Sequence, residues 1–257
     1  MDLLHTASAY LPLALLVFLA GFVDSIAGGG GLITLPAYLA HGLSPVLLLG
    51  TNKLSSSLGT TVAAFKFIRE TRFKADFLFL VIFLAAAGAL LGARIITLVP
   101  PDMIRYLLIV TLPPVAIFLV SQRAFGLVDT SAAFSANTLL LRAGLIALVI
   151  GFYDGLLGPG TGTFLALGFA RLCRFDLLRS TALAKLLNLT SNLASLAAFL
   201  YFGRVNVPLG LAMGVAGMAG NYAGSHLALK KGAWVIRPML LLICAALLAK
   251  IVWDMLK

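Results

Sequence analysis

The feature that most constrains this chain is a helix-breaking stretch set inside an apolar run, and the fact that it occurs twice. Gly21-Phe-Val-Asp-Ser-Ile-Ala-Gly-Gly-Gly-Gly-Leu-Ile-Thr-Leu-Pro36 places an aspartate, Asp24, and four consecutive glycines, Gly28, Gly29, Gly30 and Gly31, in otherwise hydrophobic sequence. A second version, Gly151-Phe-Tyr-Asp-Gly-Leu-Leu-Gly-Pro-Gly-Thr-Gly-Thr-Phe-Leu165, follows 130 residues later. Gly21, Phe22, Asp24, Gly28, Gly30 and Leu35 recur as Gly151, Phe152, Asp154, Gly158, Gly160 and Leu165. A charged residue beside a flexible break is costly in an apolar setting, so a chain that carries two must have a use for them.

The setting is membrane-like. Of the 257 residues, 61% are hydrophobic and 11% charged, and the mean hydropathy is +1.06. Soluble domains carry about 25% charged residues. Several apolar stretches reach the ~20 residues that cross ~30 Å of hydrocarbon. An all-α polytopic membrane protein is expected, with about eight transmembrane helices and up to ten segments if half-helices are counted. The short alternating segments of a β-barrel are missing. The net charge of +10 does not point to nucleic acid, because the basic residues cluster in short loops between apolar spans. There they read as orientation signals facing anionic lipid, which makes the bilayer the partner. Cys173 and Cys244, with three scattered histidines, give neither a disulfide framework nor a metal set, and no cofactor is expected. The N-terminus lacks the basic region of a cleavable signal, so the first span is expected to be retained.

Apolar runs are expected at about 7–27, 75–99, 103–120, 137–157, 207–229 and 233–255, with short pieces at 31–40 and 161–173. Two further helices open at Ser44-Pro45 and after the basic loop 171–179, and Pro113-Pro114 predicts a kink. With an offset of 132, Lys53 matches Lys185, Arg72 matches Arg204, Arg105 matches Arg237, and Gly88-x-x-x-Gly92 matches Gly220-x-x-x-Gly224. The chain is therefore read as two copies of one unit: a first membrane repeat at 7–122, a linker at 123–136 and a second repeat at 137–256.

Charge chooses how the copies sit. If each copy crosses an odd number of times, ten basic residues (Arg69, Arg72, Lys74, Arg123, Arg171, Arg174, Arg179, Lys230, Lys231 and Arg237) share one side and five the other. Even parity gives eight against seven. The positive-inside rule favours odd parity, hence inverted repeats with both termini outside.

Irregular backbone at membrane depth survives only where protein or a water-filled cavity covers it. Broken helices in repeated halves mark a transporter's substrate site, and amide groups at the start of a short helix attract anions. Gly28, Gly29, Gly30, Gly31, Gly158, Gly160, Thr161 and Gly162 are the candidate cradle; the competing reading is a glycine crossing that only lets helices pack closely. Lys53 and Lys185 lie about two turns into their helices and could supply positive charge, or be neutralised by Asp24 and Asp154, or snorkel to an interface. Asp24 and Asp154 could take a coupling proton, pair with the lysines or cap the breaks. Asn52 and Asn188, with Ser55, Ser56, Thr60, Thr190, Ser191 and Asn192, give the two lysine helices a polar stripe. Arg94 and His226 suit interfacial anchoring, and the Gly-x-x-x-Gly pairs suit helix contacts. Gly224-Ser-His226 lacks the elbow pattern of a hydrolase, and no enzyme chemistry is expected.

The two glycine motifs, together with Gly50-Thr-Asn-Lys53, closely resemble the TauE/SafE family of sulfite and organosulfonate exporters of bacterial inner membranes. The resemblance runs from about residue 10 to 255. It implies a permease with duplicated halves that moves a small sulfur- or carbon-containing anion. The expectation is a secondary transporter, with a passive anion channel or a non-transporting intramembrane enzyme or subunit as alternatives, and with self-association into a homo-oligomer left open.

Overall fold

The computed structural model describes residues 2–101, positions 103, 104, 106, 107, 110 and 111, and residues 128–231. Among these the regular structure is helical: α1 (Asp2–Ala27), α2 (Gly31–Ala40), α3 (Pro45–Arg69), α4 (Ala75–Ile96), a 3₁₀ turn (Ser131–Ala133), α5 (Ala136–Leu156), α6 (Thr161–Leu172), α7 (Leu177–Tyr201) and α8 (Val207–Lys231). Most of the expected span at 103–120 with its Pro113-Pro114 kink, the first part of the linker, the Arg105–Arg237 match and the span at 233–255 lie outside the described residues.

Local chemistry sets the boundaries. Pro45 occupies the first turn of α3, where its missing N–H costs nothing. The Asp176 carboxylate accepts from Arg179 N at 2.8 Å and caps α7. Ser135 Oγ does the same for Thr138 N at 3.2 Å in α5. The short pieces begin where foreseen, at Gly31 and Thr161. α4, α5 and α7 are long and apolar enough to cross a membrane. α3 matches α7 in length but carries Thr51, Asn52, Lys53, Ser55, Ser56, Ser57, Thr60 and Thr61, which dilute its hydropathy.

Polarity runs inside out relative to a soluble protein. Leu15, Leu19, Phe79, Phe83, Leu145, Val149 and Val215 are exposed, whereas Lys53, Asp154, Lys185, Asn192 and Ser195 are buried. Lipid tails solvate the first set as well as a core would, so polar side chains gather inside the bundle. Two apolar clusters flank that polar centre. One is built from Leu13, Val17, Leu35, Tyr38, Leu48 and Ile96, the other from Val81, Ile146, Leu165, Phe169, Leu183 and Leu187.

Contacts between the halves exchange roles. α4 lies against α5 as α8 lies against α1; α8 packs on α3 as α4 packs on α7; α3 and α7 meet each other. The matched Gly-x-x-x-Gly pairs make the same contacts. A Cβ on Gly88 would collide with Leu148 O and Phe152 N, and one on Gly220 with Phe18 O and Phe22 N. Matched sequence positions thus make matched contacts, and small residues at these crossings let backbones touch.

Candidate functional site

The breaks are built by main-chain geometry that only glycine adopts easily. Gly28 has φ +86° and Gly158 φ +88°, the left-handed region that other residues enter at a cost. Gly28 N donates to Asp24 O at 2.7 Å, closing α1. Gly30 N then donates to Asp24 Oδ1 at 3.0 Å, so the aspartate caps the break it precedes. In the second copy Thr161 Oγ1 donates to Gly158 O at 2.8 Å, and Tyr153 OH to Pro159 O at 2.7 Å. The two breaks touch backbone to backbone: a Cβ on Gly162 would stand 2.7 Å from Gly28 Cα, and one on Gly31 3.6 Å from Pro159 Cα. Tight glycine packing therefore applies here, and the same backbone also borders a cavity.

Each lysine pairs with the aspartate of the other copy. Lys53 Nζ lies 2.7 Å from Asp154 Oδ2 and donates to Asn192 Oδ1 at 2.9 Å. Ser191 Oγ donates to the same Asp154 Oδ2 at 2.6 Å. Lys185 Nζ lies 3.1 Å from Asp24 Oδ2 and also donates to the Asp24 carbonyl. Both lysines sit at the ninth position of their helices. They reach the centre from there, and neither snorkels: Lys53 is 2% and Lys185 1% exposed. Four buried charges sum to zero, as a low-dielectric interior requires, because an isolated charge would cost several kcal/mol.

The cavity between the breaks has a volume of about 40 Å³, room for a few waters at ~10–15 Å³ each. Of the predicted site residues, Asp24, Gly28, Gly30, Gly31, Asn52, Lys53, Asp154, Gly158, Thr161, Gly162 and Asn188 border it. Gly29, Gly160 and Lys185 do not; Gly160, at φ +79°, starts α6, and Lys185 lies behind Asp24. Thr34 Oγ1, 2.5 Å from Asn52 Oδ1, ties α2 to α3 beside the cavity. Arg94 stands over the Phe202 ring at 5.2 Å, and both Arg94 and His226 are exposed, away from this centre. Among the described residues no group of His, Cys, Asp and Glu could hold a metal.

Among the cavity residues that sequence reasoning missed is Asn221 on α8. Its signal was a departure from the repeat: an asparagine where the first copy has Ala89.

Comparison with known proteins gives the family. Residues 13–251 match the family described as Sulfite exporter TauE/SafE. A Sinorhizobium protein named probable membrane transporter protein ORF9 is 39% identical over 98% of this chain and 95% of its own. The probable membrane transporter protein YfcA of Escherichia coli K12 is 39% identical over 92% of this chain and 87% of its own. A probable membrane transporter protein of Haemophilus influenzae is 34% identical over 92% of each chain. No solved structure matches. This helical bundle, with apolar faces outward and paired charges inward and matched over nearly its whole length, belongs to the TauE/SafE family of membrane transporters.

Proposed function

We propose that the chain is a secondary transporter of a small anion, such as sulfite, an organosulfonate or a carboxylate, coupled to protons. One observation carries this reading: two ammonium–carboxylate pairs, exchanged between the copies, lie buried at the crossing of the two glycine breaks. Because each lysine is already neutralised, an anion entering the cavity adds an uncompensated charge. A proton taken up by Asp154 or Asp24 removes that excess and releases the ammonium to meet the anion. Charge neutrality in a low dielectric thus favours anion and proton moving together.

In this reading the copies are inverted repeats in a bacterial inner membrane, with both termini outside, as the ten-to-five charge distribution favours. Rocking of one copy against the other about the crossed breaks gives alternating access. The remaining predicted residues, Gly29, Gly160 and Lys185, support the site from behind.

Reconstitution into liposomes tests the function. With the outside acidified, radiolabelled sulfite, 2-hydroxyethanesulfonate and acetate are offered in turn. Accumulation of one of them above its outside concentration, abolished by a protonophore, is expected. Equilibration without accumulation indicates a passive channel. No flux of any of the three overturns the reading.

A further inference from the structure

The two copies line the cavity unequally. Where α3 presents Asn52 and Ser55, the matched positions of α7 are Ala184 and Leu187. Ala184 and Leu187 are buried in the second apolar cluster, whereas Asn52 and Ser55 border the cavity. The cavity reaches Val17, Gly21, Gly217 and Asn221 on α1 and α8, but not their counterparts on α5 and α4. Asn221 is 3% exposed, and its Nδ2 donates to Gly217 O at 3.0 Å. That bond fixes the amide orientation, since a flip would set oxygen against oxygen. Asn221 Oδ1 is thereby left with no partner among the described residues, a costly state for a buried polar atom. The glycines at 21 and 59 leave space beside the Asn221 amide: a Cβ on either would stand 2.8 or 2.6 Å from its Nδ2.

The geometry points to one off-axis anion site per chain, in the wall of α1, α3 and α8, with Lys53 as the ammonium that meets the anion, Thr60 and Asn221 as its polar wall, and Lys185 as a brace that does not touch it. Both lysines are engaged, Lys53 by Asp154 and Asn192 and Lys185 by the carboxylate and carbonyl of Asp24, but of the two Lys53 alone borders the cavity. This rests on the anion-transport reading and assigns its labour. Asn221 completes the wall when a ligand or ligand-bound water donates to Oδ1.

Titration calorimetry on the purified full chain tests it, using whichever of sulfite, 2-hydroxyethanesulfonate and acetate binds the unmodified protein most tightly. A stoichiometry of one per chain is expected. Asn221→Ala and Thr60→Val should each weaken binding about tenfold, that is ~1.4 kcal/mol. Ser195→Ala should leave it within twofold. Ser195 is the useful control because its hydroxyl is likewise buried and without a partner among the described residues, yet it lies on α7 away from the cavity. Two sites per chain, wild-type affinity in both Asn221→Ala and Thr60→Val, or an equal loss in Ser195→Ala would overturn the off-axis site while leaving anion transport standing. Absence of binding by all three anions would overturn both.

Discussion

Replacing Lys53 by glutamine separates the structural and functional roles of the exchanged ion pairs. Asp154 is 1% exposed, and without Lys53 its carboxylate keeps, among the described residues, the Ser191 hydroxyl and whatever the cavity waters supply. Removing one partner of a buried pair costs ~3–5 kcal/mol, mostly the desolvation of the charge left behind. At roughly 2–4 °C per kcal/mol for a chain of this size, Lys53→Gln should lower the melting temperature in detergent by ~6–20 °C. Asp154→Asn should cost a similar amount, because it strands the ammonium instead. The double variant, Lys53→Gln with Asp154→Asn, removes both charges and leaves two amides that can bond each other, so it should regain most of the loss. The resulting coupling energy of ~2 kcal/mol or more is well above the error of such cycles. Transport separates from stability at this point: the double variant folds but has no ammonium to offer an anion, so uptake stays lost. Single variants within ~2 °C of the wild type, or a double variant no more stable than either single, would show that the pair is not buried as described. A double variant that folds and transports would refute the role given to Lys53.

Two further substitutions probe the surroundings. Gly28 and Gly42 share φ +86°, but only Gly28 faces another backbone, that of Gly162 and Thr163, while Gly42 opens onto free space. Gly42→Ala should therefore cost only the ~1–2 kcal/mol of a left-handed alanine, and Gly28→Ala at least ~2 kcal/mol more for forcing two backbones apart; equal melting temperatures would remove the crossing of the breaks from the account. At the surface, Asp129 accepts from Ser131 N at 2.8 Å and pairs with Arg179, docking the linker onto the start of α7. Burial alone would raise the Asp129 carboxyl, but the bonds from Ser131 and Arg179 outweigh it and hold the group below its ordinary 3.8. A depressed carboxylate stabilises the fold above its unfolded pKa and loses that contribution as pH falls through the folded value. Asp129→Asn should cost under ~1 kcal/mol at pH 7, as half-exposed pairs do, and the difference from wild type should vanish in acid; a difference that persists or grows at low pH contradicts the pairing.

Much of this was legible because membrane depth punishes exceptions. A lysine or aspartate inside an apolar run has few physical excuses, so Asp24, Lys53, Asp154 and Lys185 stood out, and Gly31 and Thr161 marked helix starts because the glycine runs stop any helix. The exchange of partners was not legible. Along the chain Lys53 stands closer to Asp24 than to Asp154, and only the packing of α3 against α7 decides that each ammonium crosses to the other copy. Asn221 escaped notice for a related reason. An asparagine in a helix is unremarkable until Gly21 and Gly59, far apart in the chain, are seen to leave room beside its amide.

That exchange ties charge to movement. Had each lysine paired with the aspartate of its own copy, the copies could move relative to each other without disturbing any buried charge. As built, Lys53–Asp154 and Lys185–Asp24 both bridge the copies, beside the point where Gly28 meets Gly162. Rocking about that point draws an ammonium from its carboxylate, and in a dry interior separating one such pair costs several kcal/mol. In the proposed reading these ion pairs therefore resist movement of an empty site. In the proposed transport cycle, an anion taking the ammonium and a proton taking its carboxylate would together replace both partners and lower the cost of movement. The two pairs are not equally placed for this: Asp154 is locked by Lys53 and Ser191 at 1% exposure, whereas Asp24, at 9%, faces the cavity with a longer contact to Lys185. The looser pair is the easier one for a proton to reach, and the tighter pair holds the lysine that borders the cavity. In the proposed reading the anion meets Lys53 only once the proton has passed on to Asp154, because a proton left on Asp24 frees Lys185 and strands the Asp154 carboxylate.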